Sequence, residues 1–194
     1  MTETTAEQVL QELLECNRRF AEGCLIHPRQ TVARRLEIAQ VQRPKAVVVT
    51  CSDARVVPLL IFDQGLGDLF VVRVAGNITV DVVHGSIEYA VEHLGVNLVV
   101  ILGHSSCGAV TATVSGGKTA GQISSFVNAI QPAVDKVRDH PGDTVDNAAR
   151  ANVGMIVEQL KTSEPILMRY LDKGSLKIVG AYYSLTSGLV EVIC

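Results

Sequence analysis

Three short runs, at residues 46–50, 69–74 and 98–102, are apolar or β-branched at almost every position. A strand wetted on one side alternates polar and apolar residues, whereas a strand apolar throughout is covered on both faces. Between the runs lie segments with helical spacing, such as Ile87, Ala90, Val91 and Leu94, which stop at Gly95. Buried strands alternating with helices allow few folds. They predict an α/β class fold: a single domain with a mostly parallel central sheet flanked by helices. A late strand is expected at 176–183, and Gly188 marks a turn before 189–193. Helices are expected near 123–138 and 145–161, separated by His140-Pro141-Gly142, and again at 164–173. Residues 115–121 read as a Gly/Ser/Thr loop. The 194 residues suit one domain spanning 1–194, with a helical arm at about 5–22 and an α/β core at about 44–194.

The arm reads as a helix over 5–21. Thr5 and Gln8 have the spacing of a capping box, and Gly23 fits its end. Val9, Leu10, Leu13, Leu14 and Phe20 form an apolar stripe that must be buried, either on the chain's own domain or on a second subunit.

Hydrophobic residues make up 47% of the chain and charged residues 19%, which excludes a disordered chain. The net charge of -3, with no Lys/Arg block, argues against a nucleic-acid partner. No apolar stretch reaches the length of a membrane span. The polar start Met1-Thr2-Glu3-Thr4-Thr5-Ala6-Glu7 lacks the basic and apolar regions of a signal peptide, so a cytoplasmic location is expected. Five cysteines, an odd number in a chain this long, do not form a disulfide framework.

Two of those cysteines stand where chemistry is expected. Cys51-Ser52-Asp53-Ala54-Arg55 directly follows the first run, and Gly103-His104-Ser105-Ser106-Cys107-Gly108 directly follows the third. In an open parallel sheet, ligands gather outside the carboxyl ends of the strands. If the two runs are neighbours, Cys51, His104 and Cys107 converge there. Two thiolates and one imidazole suit zinc, and three protein ligands leave a position open, as in catalytic sites. Gly103 and Gly108 are expected to let the backbone turn tightly beside the metal. Thiolates donate strongly, so a water on such a zinc ionises less readily than on a three-histidine site and needs a helper. Asp53 is placed either to orient that water or to take the fourth position, and Arg55 to hold Asp53 ionised.

With Gly67-Asp68-Leu69-Phe70-Val71-Val72-Arg73, Ala75-Gly76-Asn77 and Ser86-Ile87-Glu88-Tyr89-Ala90-Val91, these clusters together resemble the β-class carbonic anhydrases. The resemblance runs from Asn17-Arg18-Arg19-Phe20 to Lys177-Ile178-Val179-Gly180, and its specificity lies in the joint order and spacing. It implies a lyase that reversibly hydrates carbon dioxide to bicarbonate and a proton, with hydroxide on one zinc per subunit as nucleophile. It implies Cys51, His104 and Cys107 as zinc ligands and Asp53 with Arg55 as the dyad orienting the hydroxide. Gln42 matches a glutamine that binds bicarbonate. Phe70, Ala75 and Tyr89 match the apolar pocket, partly across a dimer interface, and Gly108 offers its N–H to substrate oxygen. The resemblance further implies a homodimer or dimer of dimers, with the N-terminal helix packing on the partner.

Ala54 stands where a serine is usual, and Val74 where asparagine is common. Val48 occupies the place of a tryptophan that one regulated subgroup uses to bind inhibitory bicarbonate; with Gln42, this favours the open-site subgroup. Two other readings use the same residues. Carbonyl sulfide or carbon disulfide can replace carbon dioxide as substrate. A non-enzymatic zinc protein or a Cys51–Cys107 redox sensor would need none of Asp53, Arg55 and Gln42.

Overall fold

A computed structural model describes residues 4–117 and 119–194. Residues 1–3 of the polar start and Lys118 of the loop at 115–121 lie outside the described residues. Strands β1 (Ala46–Thr50), β2 (Leu69–Arg73), β3 (Leu98–His104) and β4 (Lys177–Tyr183) are mutually parallel. A short β5 (Val190–Val192) returns antiparallel to β4, and the sheet order is β2-β1-β3-β4-β5. The chain thus leaves β1 toward β2 on one side and later returns to β3 on the other. That reversal between β1 and β3 is where an open sheet leaves a crevice beyond its strand ends.

Every residue of β1 and β3 is buried, as expected for strands covered on both faces. Successive residues supply opposite layers. Val47, Val49, Val99 and Ile101 pack with helices α4 (Asp81–Leu94), α7 (Thr144–Lys161) and α8 (Ile166–Asp172). Ala46, Val48, Val100 and Leu102 pack with helix α1 (Ala6–Ala21) and the short α3 (Pro58–Ile61). Helices α5 (Gly108–Ser115) and α6 (Ile123–Lys136) join α7 in a third cluster around Cys51 and Cys107. A short α2 (Val32–Glu37) lies between α1 and β1.

The Thr5–Gln8 capping box is formed at the start of α1, and Gly23 takes a left-handed backbone after its end. The apolar stripe finds its burial within the chain: Val9, Leu10 and Leu13 pack on the sheet, with Leu14 and Phe20 partly buried beside them. Asn17 ties the helix down further. Its amide donates to the carbonyls of Ile61 (3.1 Å) and Gly188 (2.9 Å), and its oxygen accepts from Val190 N–H (2.8 Å).

The short helices α2 and α3 were not expected from the residue patterns, and three further elements differ from them. Helix α4 begins at Asp81, well before the stretch at 86–94, because exposed Val82 and central Gly85 interrupt its apolar periodicity. Helix α5 has no propensity signal: Gly108, Thr111, Thr113 and two valines are all poor helix formers. Strand β3 runs on through His104, so that histidine is aimed by the sheet and not by a following loop.

Leu13 is 1% exposed at the centre of the α1 contact. Leu13→Ala should destabilise the fold by about 2–5 kcal/mol, the usual range for emptying a buried leucine site. Urea denaturation measures it, and a loss below that range would show that α1 is not part of this core.

Candidate metal centre

The crevice between β1 and β3 holds the two clusters. Cys51 follows Thr50, the last residue of β1, and His104 ends β3. Thr50 Oγ1 donates to the Leu102 carbonyl at 2.8 Å, joining the two strand ends beside Cys51 and His104. Cys107 is the N-cap of α5, so the amide end of that helix meets its sulfur.

The donor atoms of Cys51, His104 and Cys107 lie within 4.8 Å of one another, and all three residues are buried. The two sulfurs are 4.0 Å apart. Two thiolates at about 2.3 Å from a tetrahedral zinc would stand about 3.8 Å apart, so the spacing fits. His104 Nδ1 lies 2.9 Å from the Ser105 carbonyl, which makes it the protonated nitrogen. Nε2 is then the lone-pair nitrogen, and it is buried with no hydrogen-bond partner among the described residues. A buried acceptor of this kind is costly unless something binds it. A cation between this nitrogen and the two sulfurs resolves that cost, and the donor set fits zinc.

Two thiols this close cannot both ionise unaided. Cys51 is held well below the usual thiol range, first by the Cys107 thiol's hydrogen bond, with the Gly76 and Asp53 N–H groups assisting against burial. Cys107 is pushed up, first by its bond to the Cys51 sulfur and then by burial. A bound dication would let both serve as thiolates.

Asp53 and Arg55 form a two-pronged pair. Arg55 Nε donates to one carboxylate oxygen (2.9 Å) and an Nη to the other (2.8 Å), and Arg55 N–H adds a bond to Asp53 (3.0 Å). The same guanidinium reaches the Ser106 carbonyl at 3.2 Å, bridging the two clusters. Arg55 thereby holds the Asp53 carboxyl far below the usual carboxylate range.

Other contacts were not apparent from the residue pattern. Arg73, at the end of β2, donates to the carbonyls of Cys51 (3.0 Å) and Asp53 (2.7 Å). The one available signal was a lone arginine closing an apolar strand. Gly76 N–H donates to Cys51 Sγ at 3.3 Å. The expected role of Gly103 and Gly108 is corrected. Neither has a left-handed backbone; the residue that turns is Ser106, at φ 53°. Gly103 instead makes room for α7, since a Cβ there would sit 2.5 Å from Val153 Cγ2.

A family model described as "Carbonic anhydrase" matches residues 46–190. A carbonic anhydrase of Mycolicibacterium smegmatis is 42% identical over 184 residues, covering 93% of this chain and 89% of the relative. Carbonic anhydrase 2 of Mycobacterium tuberculosis is 40% identical over 192 residues, covering 97% and 93%. Among solved structures, a Coccomyxa β-carbonic anhydrase in complex with acetazolamide superposes with TM-score 0.76 at 29% identity, covering 95% of this chain and 86% of that one. One of two tetrameric β-carbonic anhydrases from Sordaria macrospora gives 0.77 at 26% identity, covering 81% and 84%.

The chain belongs to the β-class carbonic anhydrases.

Seen as a β-carbonic anhydrase, the chain divides its expected site residues into two groups. Cys51, Asp53, Arg55, Ala75, His104, Cys107 and Gly108 belong to the carboxyl end of the sheet; Ala75 opens the turn that places Gly76 on Cys51. Gln42, Phe70 and Tyr89 do not join them. Phe70 pairs with Val47, so it lies four positions back along the strands from Cys51, about 13 Å at roughly 3.3 Å per residue. Its ring centroid is 6.4 Å from that of Tyr89, which shares a surface depression of about 400 Å³ with Gln42, Ile38 and Leu94.

Removing the guanidinium in Arg55→Ala should raise the Asp53 ionisation toward the ordinary carboxylate value near about 4. Carboxyl ¹³C titration by NMR follows it, and an unmoved Asp53 would absolve Arg55 as the cause. A depressed carboxylate adds stability that is present above the unfolded-state value of about 3.9 and lost as pH falls toward the folded one. The variant should therefore be less stable than the wild type above about pH 4, with the difference closing as pH falls below that.

Proposed function

We propose that this chain catalyses the reversible hydration of carbon dioxide to bicarbonate on one zinc per subunit, held by Cys51 Sγ, His104 Nε2 and Cys107 Sγ. The observation that carries this reading is the buried trio with its unpartnered Nε2, set beside a carboxylate that Arg55 keeps ionised. When bound, zinc supplies Lewis acidity and an activated water near neutral pH.

The chain's own residues do the rest. Ionised Asp53 only accepts hydrogen bonds, so it fixes the O–H of the attacking nucleophile and leaves the oxygen lone pair free toward carbon. Arg55 prevents Asp53 from taking up a proton in the working pH range. The first N–H groups of α5 have no partner within the helix. That of Gly108 is a fixed donor for charge developing on a substrate oxygen. Hydration forms one carbon–oxygen bond and releases one proton, which passes to buffer.

Gln42, Phe70 and Tyr89 are proposed to serve the site of a second copy. Tyr89 is 47% exposed and Val82, on the same helix, 80%, while β2 is a sheet edge. The assembly is thus a homodimer, or a dimer of dimers, in which each chain lends its aromatic pair to the other.

Stopped-flow hydration by zinc-quantified protein tests the reaction. Asp53→Asn should lower turnover by about 10²-fold or more while zinc stays bound. Full zinc with no turnover in the wild type would defeat the assignment, and faster release of hydrogen sulfide from carbonyl sulfide would move it to that substrate.

The shared site has its own test. Cys51→Ala and Gln42→Ala should each be weak alone, yet a co-assembled mixture should regain activity. One of its sites then has intact metal ligands and an intact glutamine from the other chain. No recovery in verified mixed dimers would return Gln42 to its own chain's site.

A further inference from the structure

We propose that Asn152, on α7, is a positioning residue for the metal centre: it holds the Ala75–Asn77 turn so that Gly76 N–H stays on the Cys51 sulfur. This rests on Cys51, His104 and Cys107 being metal ligands.

The turn needs holding. Gly76 has φ 69° and Asn77 φ 46°, so two successive residues sit in the left-handed region, the second without glycine's freedom. Such backbone persists only where its surroundings over-determine it. Ile130 and Ala109 press on Gly76, where a Cβ would lie 2.5 Å from Ile130 Cδ1 and 3.1 Å from Ala109 Cβ. Asn152 Nδ2 in turn donates to the Gly76 carbonyl at 3.0 Å. That carbonyl belongs to the peptide that joins Gly76 to Asn77, while the N–H of Gly76 itself bonds Cys51 Sγ at 3.3 Å.

Asn152 makes little sense as filler. It is fully buried on a helix face whose other buried residues include Ala148, Ala149, Val153 and Ile156. Its side-chain oxygen has no partner among the described residues. An apolar residue would fill this position without the desolvation of an amide. What the amide provides is the bond to Gly76. The next residue, Val153, packs on Gly103, immediately before His104. One turn of α7 is therefore referenced to the backbone behind both ligand clusters, through a hydrogen bond to one and close packing on the other.

The test separates positioning from stability. Zinc affinity is measured by chelator competition, the thiolate-to-metal absorption is recorded on cobalt(II)-substituted protein, and melting is followed on metal-free protein. Asn152→Ala should weaken zinc binding about 10- to 100-fold, the usual effect of losing an outer contact, and shift the cobalt absorption. Val157→Ala empties a buried site on the same helix and should lower the melting temperature, yet keep zinc affinity within about twofold. Wild-type zinc affinity and cobalt absorption in Asn152→Ala would overturn the inference alone. So would equal loss of zinc in Val157→Ala, since any loosening of α7 would then suffice. A wild-type protein that binds no zinc would instead overturn the metal assignment, and this inference with it.

Discussion

Two sulfurs 4.0 Å apart and an imidazole nitrogen within 4.8 Å of both, all shut away from water, form an arrangement that elementary electrostatics disfavours. One thiolate in such a place raises the cost of the second, and an imidazole acceptor with nothing to accept adds its own desolvation. Only a cation relieves all three at once. The surrounding structure is arranged to make that relief local. The amide end of α5 abuts Cys107, and the Gly76 N–H lies on Cys51. The strands that deliver Cys51 and His104 are neighbours because the chain reverses direction across the sheet between β1 and β3. A different sheet order with the same strands would have left Cys51 and His104 apart.

The charged residues around the crevice show why position outweighs pairing. An exposed Asp–Arg pair ordinarily contributes little, and Arg55 is exposed enough to count as one. Its value here is geometric. One guanidinium grips both oxygens of Asp53 and also the carbonyl of Ser106, so it ties the loop after β1 to the loop after β3. Arg73 does the same from the β2 side, fixing the carbonyls on either side of Ser52. The carboxylate is thus ionised and oriented by contacts that do not depend on the metal.

How far the chain could be read without coordinates follows from the range of each signal. The strands were legible because burial on both faces writes itself into consecutive residues. The convergence of Cys51, His104 and Cys107 was legible because they stand at two neighbouring strand ends of a parallel sheet, where side chains gather. Helix α5 was not legible, since Gly108, Thr111 and Thr113 carry no helical preference and the helix forms through packing on α6 and α7. The roles of Gly76, Gly103 and Asn152 were not legible either. Each depends on a partner far away in sequence: Cys51 for Gly76, Val153 for Gly103, Gly76 for Asn152. A turn glycine and a packing glycine look alike in a sequence. Only the left-handed backbone at Gly76 and the close approach of α7 at Gly103 tell them apart.

On the proposed reading, the placement of Gln42, Phe70 and Tyr89 links metal chemistry to assembly by a physical argument of its own. The metal end of one chain is edged by Asp53 and Arg55, a charged pair that offers no attraction to a small apolar molecule. Carbon dioxide gains by leaving water only where apolar surface receives it. Phe70 and Tyr89 provide such surface, but at a point on the sheet set back from Cys51 by most of a strand's length. On the proposed reading, a single chain would activate water at one place and gather an apolar substrate at another. In the proposed dimer the aromatic pair of one chain closes over the metal of the other, so substrate binding depends on the interface while metal binding depends only on the chain.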